Sequence, residues 1–137
     1  MNVNIRVAIL GGFVFVLLVT MFFRSCSKPP QKGAQVYEKK CADCHGSNGE
    51  GFRNLIPPLN DADFLDQHAD DFACIVAYGI DDTIIVNGVT FHQPMAGIPE
   101  LNEVEIANVA NYVYEQWSTS KKKFSPKEIE TRIANCE

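Results

Sequence analysis

Basic side chains are scarce where this chain would need them to hold a polyanion. Between Gly33 and Trp117 only Lys39, Lys40 and Arg53 stand against fourteen carboxylates. A surface of that sign repels phosphate, which argues against nucleic acid as a partner. Candidate metal ligands are also few, with three methionines and three histidines in the whole chain. No second Cys-x-x-Cys pair accompanies Cys41 and Cys44, because Cys26, Cys74 and Cys136 are widely scattered. A structural zinc site normally needs such a second pair. There is no internal repeat. After the first two dozen residues the chain has no long apolar run, and about a hundred residues are enough for one small core but not two.

What is present centres on Cys41-Ala42-Asp43-Cys44-His45. Cys-x-x-Cys followed directly by His is the attachment signature of a c-type haem. Two thiols one helical turn apart can both add to the vinyl groups of one porphyrin, and the next imidazole then lies under the iron. Cys41 and Cys44 are therefore the expected covalent sites for one haem c, with His45 the proximal iron ligand. Zinc binding and dithiol redox chemistry use the same letters. The dithiol reading requires a strand before the motif and a helix after it, and no buried strand pattern flanks these residues.

Val7 to Phe23 is an almost unbroken apolar run, softened only by Gly11, Gly12 and Thr20. Its length suits a short membrane-spanning helix or a long signal-peptide core. Cys26, after Ser25, also resembles the acylation site of a bacterial lipoprotein, although Arg24 fits that signal poorly. Residues 1–26 are thus expected to be a membrane anchor or a lipoprotein-type signal, with the uncleaved single-pass helix preferred. Residues 27–32, with Pro29-Pro30, read as an extended linker. Because c-type haem is attached outside the cytoplasm, the domain is expected on the periplasmic side of a bacterial cell membrane.

Helix formers from Gly33 to Lys40 predict a short helix leading into the haem motif. Gly46 to Leu59 lacks helical periodicity and ends in Pro57-Pro58, as a loop does. Asn60 or Asp61 is a candidate cap for a turn through Leu65. Asp70 is a candidate cap for a helix carrying Phe72, Cys74, Ile75, Val76 and Tyr78, which Gly79 would stop. Thr83 to Phe91 surrounds Asn87-Gly88 with β-branched residues and predicts a hairpin. Asn102 and Glu105 form a capping-box pattern before the helical stripe Val104, Ile106, Val109, Tyr112, Val113 and Trp117. Ser125-Pro126 opens a terminal helix through about Ala134.

This order of features resembles the monohaem cytochromes c with His and Met axial ligands, over about residues 33–117. Gly33 and Tyr37 occupy the positions where that family crosses its last helix, with Val109 and Tyr112 expected to face them. The resemblance implies a mostly α cytochrome c fold around one covalent haem, with a small hairpin before the ligand loop. It implies Met95, in His92-Gln93-Pro94-Met95, as the distal ligand, and a carbonyl of Pro57 or Pro58 on the free ring nitrogen of His45. His92 is the rival ligand and His68 a more remote one. Residues 118–137 lie outside the resemblance and are expected to pack on the haem domain as an extension.

Cys74 and Cys136 remain once the other thiols have roles. In an oxidising compartment they are expected to pair, the alternative being two separate thiols. A His/Met pair leaves no open coordination site, so the expected function is electron transfer and not catalysis. The domain would pass single electrons between respiratory-chain components or a periplasmic dehydrogenase or reductase. A permanently docked haem subunit of a respiratory complex is the alternative, followed by a haem enzyme or gas sensor.

Overall fold

The structure is a computed structural model that describes residues 31–136. The expected anchor, Cys26 and residues 27–30 of the expected linker lie outside those residues; Lys32, read as linker, already opens the first helix, with Gln31 as its N-cap. Among the described residues no helix is long and apolar enough to cross a membrane. The chain runs α1 (Lys32–Lys40), α2 (Ala42–His45), α3 (Asp63–Gln67), α4 (Phe72–Tyr78), β1 (Gly79–Ile80), β2 (Ile84–Val86), β3 (Val89–Phe91), β4 (Met95–Ala96), α5 (Glu103–Trp117) and α6 (Pro126–Ile133).

The core is the crossing of α1 and α5. Gly33 permits it: a β-carbon there would lie 2.0 Å from the Asn108 carbonyl oxygen and 2.7 Å from Cβ of Tyr112. Tyr37 fills the next position, 5.5 Å from the Tyr112 ring and 5.0 Å from that of Trp117. The residues beneath Gly33 are thus Asn108 and Tyr112, while Val109 turns toward the interior cavity. The start of α5 is fixed by a full capping box. Asn102 Oδ1 accepts from the amides of Val104 and Glu105, each at 3.0 Å, and Glu105 Oε2 accepts from the Asn102 amide at 3.1 Å.

Two expected caps are replaced by longer-range contacts. The N-cap of α3 is Ala62, not Asn60 or Asp61. Its donor is met from the hairpin: the Asp63 amide donates to Asn87 Oδ1 at 3.0 Å, and the Asn87 amide returns a bond to Asp63 Oδ1 at 2.7 Å. Asn87 and Gly88 both have positive φ, +51° and +77°, as a tight hairpin turn between β2 and β3 requires. The N-cap of α4 is Asp71, whose carboxylate turns to His68 at 3.0 Å and makes no capping bond, while the expected cap, the Asp70 carboxylate, pairs with Lys122 and Arg132, each at 2.7 Å. Gly79, at φ +88°, ends α4.

Residues 118–136 lie against the domain and bury Phe124 and Ile129. Asn111 exchanges two 2.8 Å bonds with the Phe124 backbone. The Asp66 carboxylate accepts from the Ser118 and Thr119 hydroxyls and from the Thr119 and Ser120 amides. Ser125 caps α6 by accepting from the Glu128 amide at 3.2 Å, with Pro126 at the first helical position. Cys74 of α4 and Cys136 are joined by a disulfide.

Candidate haem site

The site grows from the break between α1 and α2. Cys41 sits at that break, its amide bonded to the Tyr37 carbonyl at 2.8 Å, and its own carbonyl accepts from the His45 amide at 2.9 Å. One turn of helix therefore sets the two thiols and the imidazole together. Gly46, at φ +78°, turns the chain away immediately afterwards. The turn is held by the Tyr37 hydroxyl, which donates to the Gly46 carbonyl at 2.7 Å, and by the Gly51 amide, which donates to the His45 carbonyl at 2.8 Å.

His45 is 9% exposed. Its Nδ1 lies 3.2 Å from the Pro57 carbonyl oxygen, which can only accept, so the proton is on Nδ1 and Nε2 keeps a free lone pair. Burial lowers the imidazole pKa, and the Pro57 bond offsets this only in part. The ring is thus held neutral, the form that binds iron. Pro57 and not Pro58 supplies the carbonyl. Cys41 is half-buried and Cys44 exposed, and neither is in a disulfide. Burial, and then the neighbouring Cys44, pushes the Cys41 thiol up to about 11, so it is a protonated thiol at neutral pH.

Beside this helix lies a cavity of about 580 Å³, within the roughly 300–1,000 Å³ usual for small-molecule and cofactor sites. Cys41, Cys44, His45, Pro57, Pro58 and Met95 all border it. Most of the remaining wall is apolar, including Phe64 and Leu65 of α3, Ile75 and Val76 of α4, and Ile84 and Val86 of the hairpin. Met95 reaches this wall from β4, which pairs antiparallel with β1 in the register Ile80 to Met95 and Gly79 to Ala96. A β-carbon on Gly79 would stand 2.3 Å from the Met95 carbonyl oxygen, so glycine is needed for that approach as well as for its positive φ.

The two rival histidines are placed differently. His92 does not border the cavity; it is exposed, and its Nδ1 lies 3.1 Å from the Thr83 hydroxyl. His68 does border the cavity, but its ring stacks on Phe64 at 4.0 Å and its Nδ1 lies 3.0 Å from Asp71. Among the described residues no group of three His, Cys, Asp or Glu side chains is gathered as a metal-binding cluster.

Sequence reasoning missed Lys40, Asp82 and Gln93 at the cavity wall. Lys40 also forms a 2.6 Å ion pair with Glu100, joining the end of α1 to the segment that follows Met95. Only the fold brings such residues together, and no local pattern marks them. The apolar walls of α4 and the hairpin were visible as patterned segments, but their common destination was not.

The donor set fits a covalent haem: two unbridged thiols, a neutral imidazole with its free nitrogen available, a thioether, and an apolar enclosure of suitable size. Comparison with known proteins agrees. The cytochrome c family profile matches residues 30–117. Over 94 residues the chain is 32% identical to a cytochrome c-552 of Thermus thermophilus, an alignment covering 66% of this chain and 71% of that one. A second cytochrome c-552, also from Thermus thermophilus, is likewise 32% identical over 94 residues, which is 66% of this chain and 63% of that one. The chain belongs to the cytochrome c family and is an electron-transfer protein with covalently bound haem c.

Proposed function

We propose that this protein is a membrane-tethered, one-electron carrier in which Cys41 and Cys44 hold the haem through thioether bonds and His45 and Met95 are the axial ligands. The observation that carries the reading is the convergence of both thiols, the neutral imidazole and the one thioether of residues 33–137 on a single apolar cavity. Bound haem c supplies a ferric/ferrous couple. His45 binds through Nε2 while Pro57 holds its other nitrogen, so the ring cannot rotate away. Met95 adds a soft sulfur ligand that favours the ferrous state and raises the potential. The apolar walls would keep water from the bound haem, and with both His45 and Met95 engaged no ligand position would remain for a substrate.

The partner surface is basic on this reading. The extension's cations are largely engaged by the domain's own carboxylates, Lys122 with Asp70 and Lys123 with Glu115. Carboxylates elsewhere, such as Asp43, Asp61, Asp81 and Asp82, are left to steer an oppositely charged donor or acceptor. Such a partner would be a membrane respiratory complex or a periplasmic dehydrogenase or reductase. The tether is assigned to Val7–Phe23 as an uncleaved helix, in preference to acylated Cys26.

Two measurements test the proposal. Acid-acetone treatment should leave the haem on the chain, and Met95→Ala should abolish the weak long-wavelength sulfur-to-ferric-iron band and admit imidazole to the iron. Loss of that band in His92→Ala but not in Met95→Ala would sink the ligand assignment. The intact mass of the detergent-extracted protein should include Met1 plus haem. A chain beginning at Cys26 with added acyl groups would replace the helical anchor by a lipid one, and a native protein found wholly in the soluble fraction would remove the tether.

A further inference from the structure

The family match ends at residue 117, yet the chain continues and is fastened to the one helix that leads into the Met95 strand pair. That helix, α4, has two occupied faces. Phe72, Ile75 and Val76 border the haem cavity, while Cys74 is bonded to Cys136. Just before α4, Arg132 Nη1 donates to the Asp70 carbonyl at 2.9 Å and Nη2 pairs with the Asp70 carboxylate at 2.7 Å. Arg132 is itself steadied by Glu128 at 3.0 Å.

The C-terminal end of the same helix carries the distal segment. The Val76 carbonyl accepts from the Ile98 amide at 2.8 Å, and β1 follows at once to pair with Met95 and Ala96. From the disulfide at Cys74 to the first of these bonds at Val76 is half a helical turn, so a shift of α4 is passed directly to the Met95 strand. That strand has little stability of its own. It contributes two residues to a two-stranded pair, and an isolated pair of this kind is marginal in water. Its position must come from what it is attached to.

We propose that Cys74, Cys136 and Arg132 are positioning residues for the distal ligand. The C-terminal extension fixes the place of α4, α4 fixes β1, and β1 holds Met95 at the cavity. The inference rests on the reading of Met95 as the axial ligand. Loss of the tie lets the β1–β4 pair open locally without unfolding the α1–α5 crossing.

The test is the rate at which imidazole replaces the sixth ligand of the ferric haem protein. Cys74→Ser/Cys136→Ser should bind imidazole about tenfold faster than the wild type, as expected for a local opening released from one restraint. Treating the wild-type protein with a water-soluble phosphine gives the same loss without substitution. The phosphine attacks the disulfide, water hydrolyses the adduct, and two thiols and a phosphine oxide result, while the haem thioethers are not reducible in this way. Tyr112→Ala, which weakens the α1–α5 crossing and does not border the cavity, should leave the rate within about twofold. Equal rates in the reduced and oxidised proteins would overturn the proposal, and so would equal acceleration by Tyr112→Ala, which would mark general destabilisation. Met95→Ala separates the two readings. If it binds imidazole no faster than wild type, the ligand assignment fails. If it binds fast while the unbridged proteins do not, only the positioning role fails.

Discussion

The two walls of the haem cavity are built on opposite plans. On the His45 side the functional residues are contiguous, and the bonds that hold them span a few residues: Cys41 to His45, His45 to Gly51, Tyr37 to Gly46 and His45 to Pro57. Behind them stands a direct helix crossing at Gly33. On the Met95 side no element exceeds seven residues, and the contacts that tie α3, α4 and β4 to the rest of the domain come from other elements, as far as 62 positions away in sequence. Examples are Asp63 with Asn87, Asp66 with Ser118, and Cys74 with Cys136. A residue inside the haem motif is placed by its neighbours in the chain, whereas Met95 is placed by segments distant from it in sequence.

The comparison breaks most severely at Gly33. Gly33→Ala would force a methyl group onto the Asn108 carbonyl, which is backbone of a packed helix and cannot swing aside. The two helices must separate, and the cost should be about 3 kcal/mol, at the upper end of ordinary overpacking. Chemical denaturation of the haem protein followed by circular dichroism measures it. An effect below about 1 kcal/mol would mean that the helix crossing does not carry the His45 side.

On the other side the corresponding test is Asn87. Asn87→Ala removes the side chain that accepts from the first amide of α3 and also puts alanine at φ +51°. The loss of the cap costs about 1 kcal/mol and the left-handed backbone about 1 kcal/mol more. Asn87→Gly keeps the turn and should cost only the first part. The same denaturation experiment separates the two contributions, and equal losses in the two variants would show that the left-handed backbone contributes nothing. Either loss should be smaller than that of Gly33→Ala, because several ties share the load here.

The same contrast explains what could be read in advance. The haem motif, the capping box at Asn102, the Asn87-Gly88 turn and the apolar stripe of α5 are local signals, and each stands where its pattern predicts except Val104, which lies on the exposed side of α5. Asp70 and Asn60 or Asp61 were expected to cap helices by the same local logic, and there it misleads. Asp70 is drawn off by Lys122 and Arg132, and the amide that Asn60 or Asp61 would have served is taken by Asn87. All three competitors lie at least 24 residues away, beyond any pattern that a sequence window contains. Lys40 at the cavity rim escaped for a like reason, since its partner Glu100 is 60 residues on.

The smallest effect falls on Asp66, which ties α3 to the start of the extension. Burial alone would raise its pKa, but the bonds from Ser118, Thr119 and Ser120 outweigh this and hold it at about 2, against the ordinary 3.8. A depressed folded-state pKa means that the charged carboxylate stabilises the fold above pH 4, and that this contribution fades as the pH falls from about 4 to 2. Because the group is partly exposed, solvent screening limits its worth to about 1 kcal/mol. Asp66→Asn should therefore lower stability by about that amount at pH 7, and the gap to the wild type should narrow as the solution is acidified toward pH 2. The subtraction isolates Asp66 from the other carboxylates that titrate in the same window, such as Asp70 and Glu115, whose pKa values are also lowered by lysine and arginine partners. A pH-independent gap would mean that the asparagine variant loses packing or geometry and not charge. The extension would then be joined to the Met95 side by its disulfide and by the pairs of Lys122 and Arg132 with Asp70, with no electrostatic help from α3.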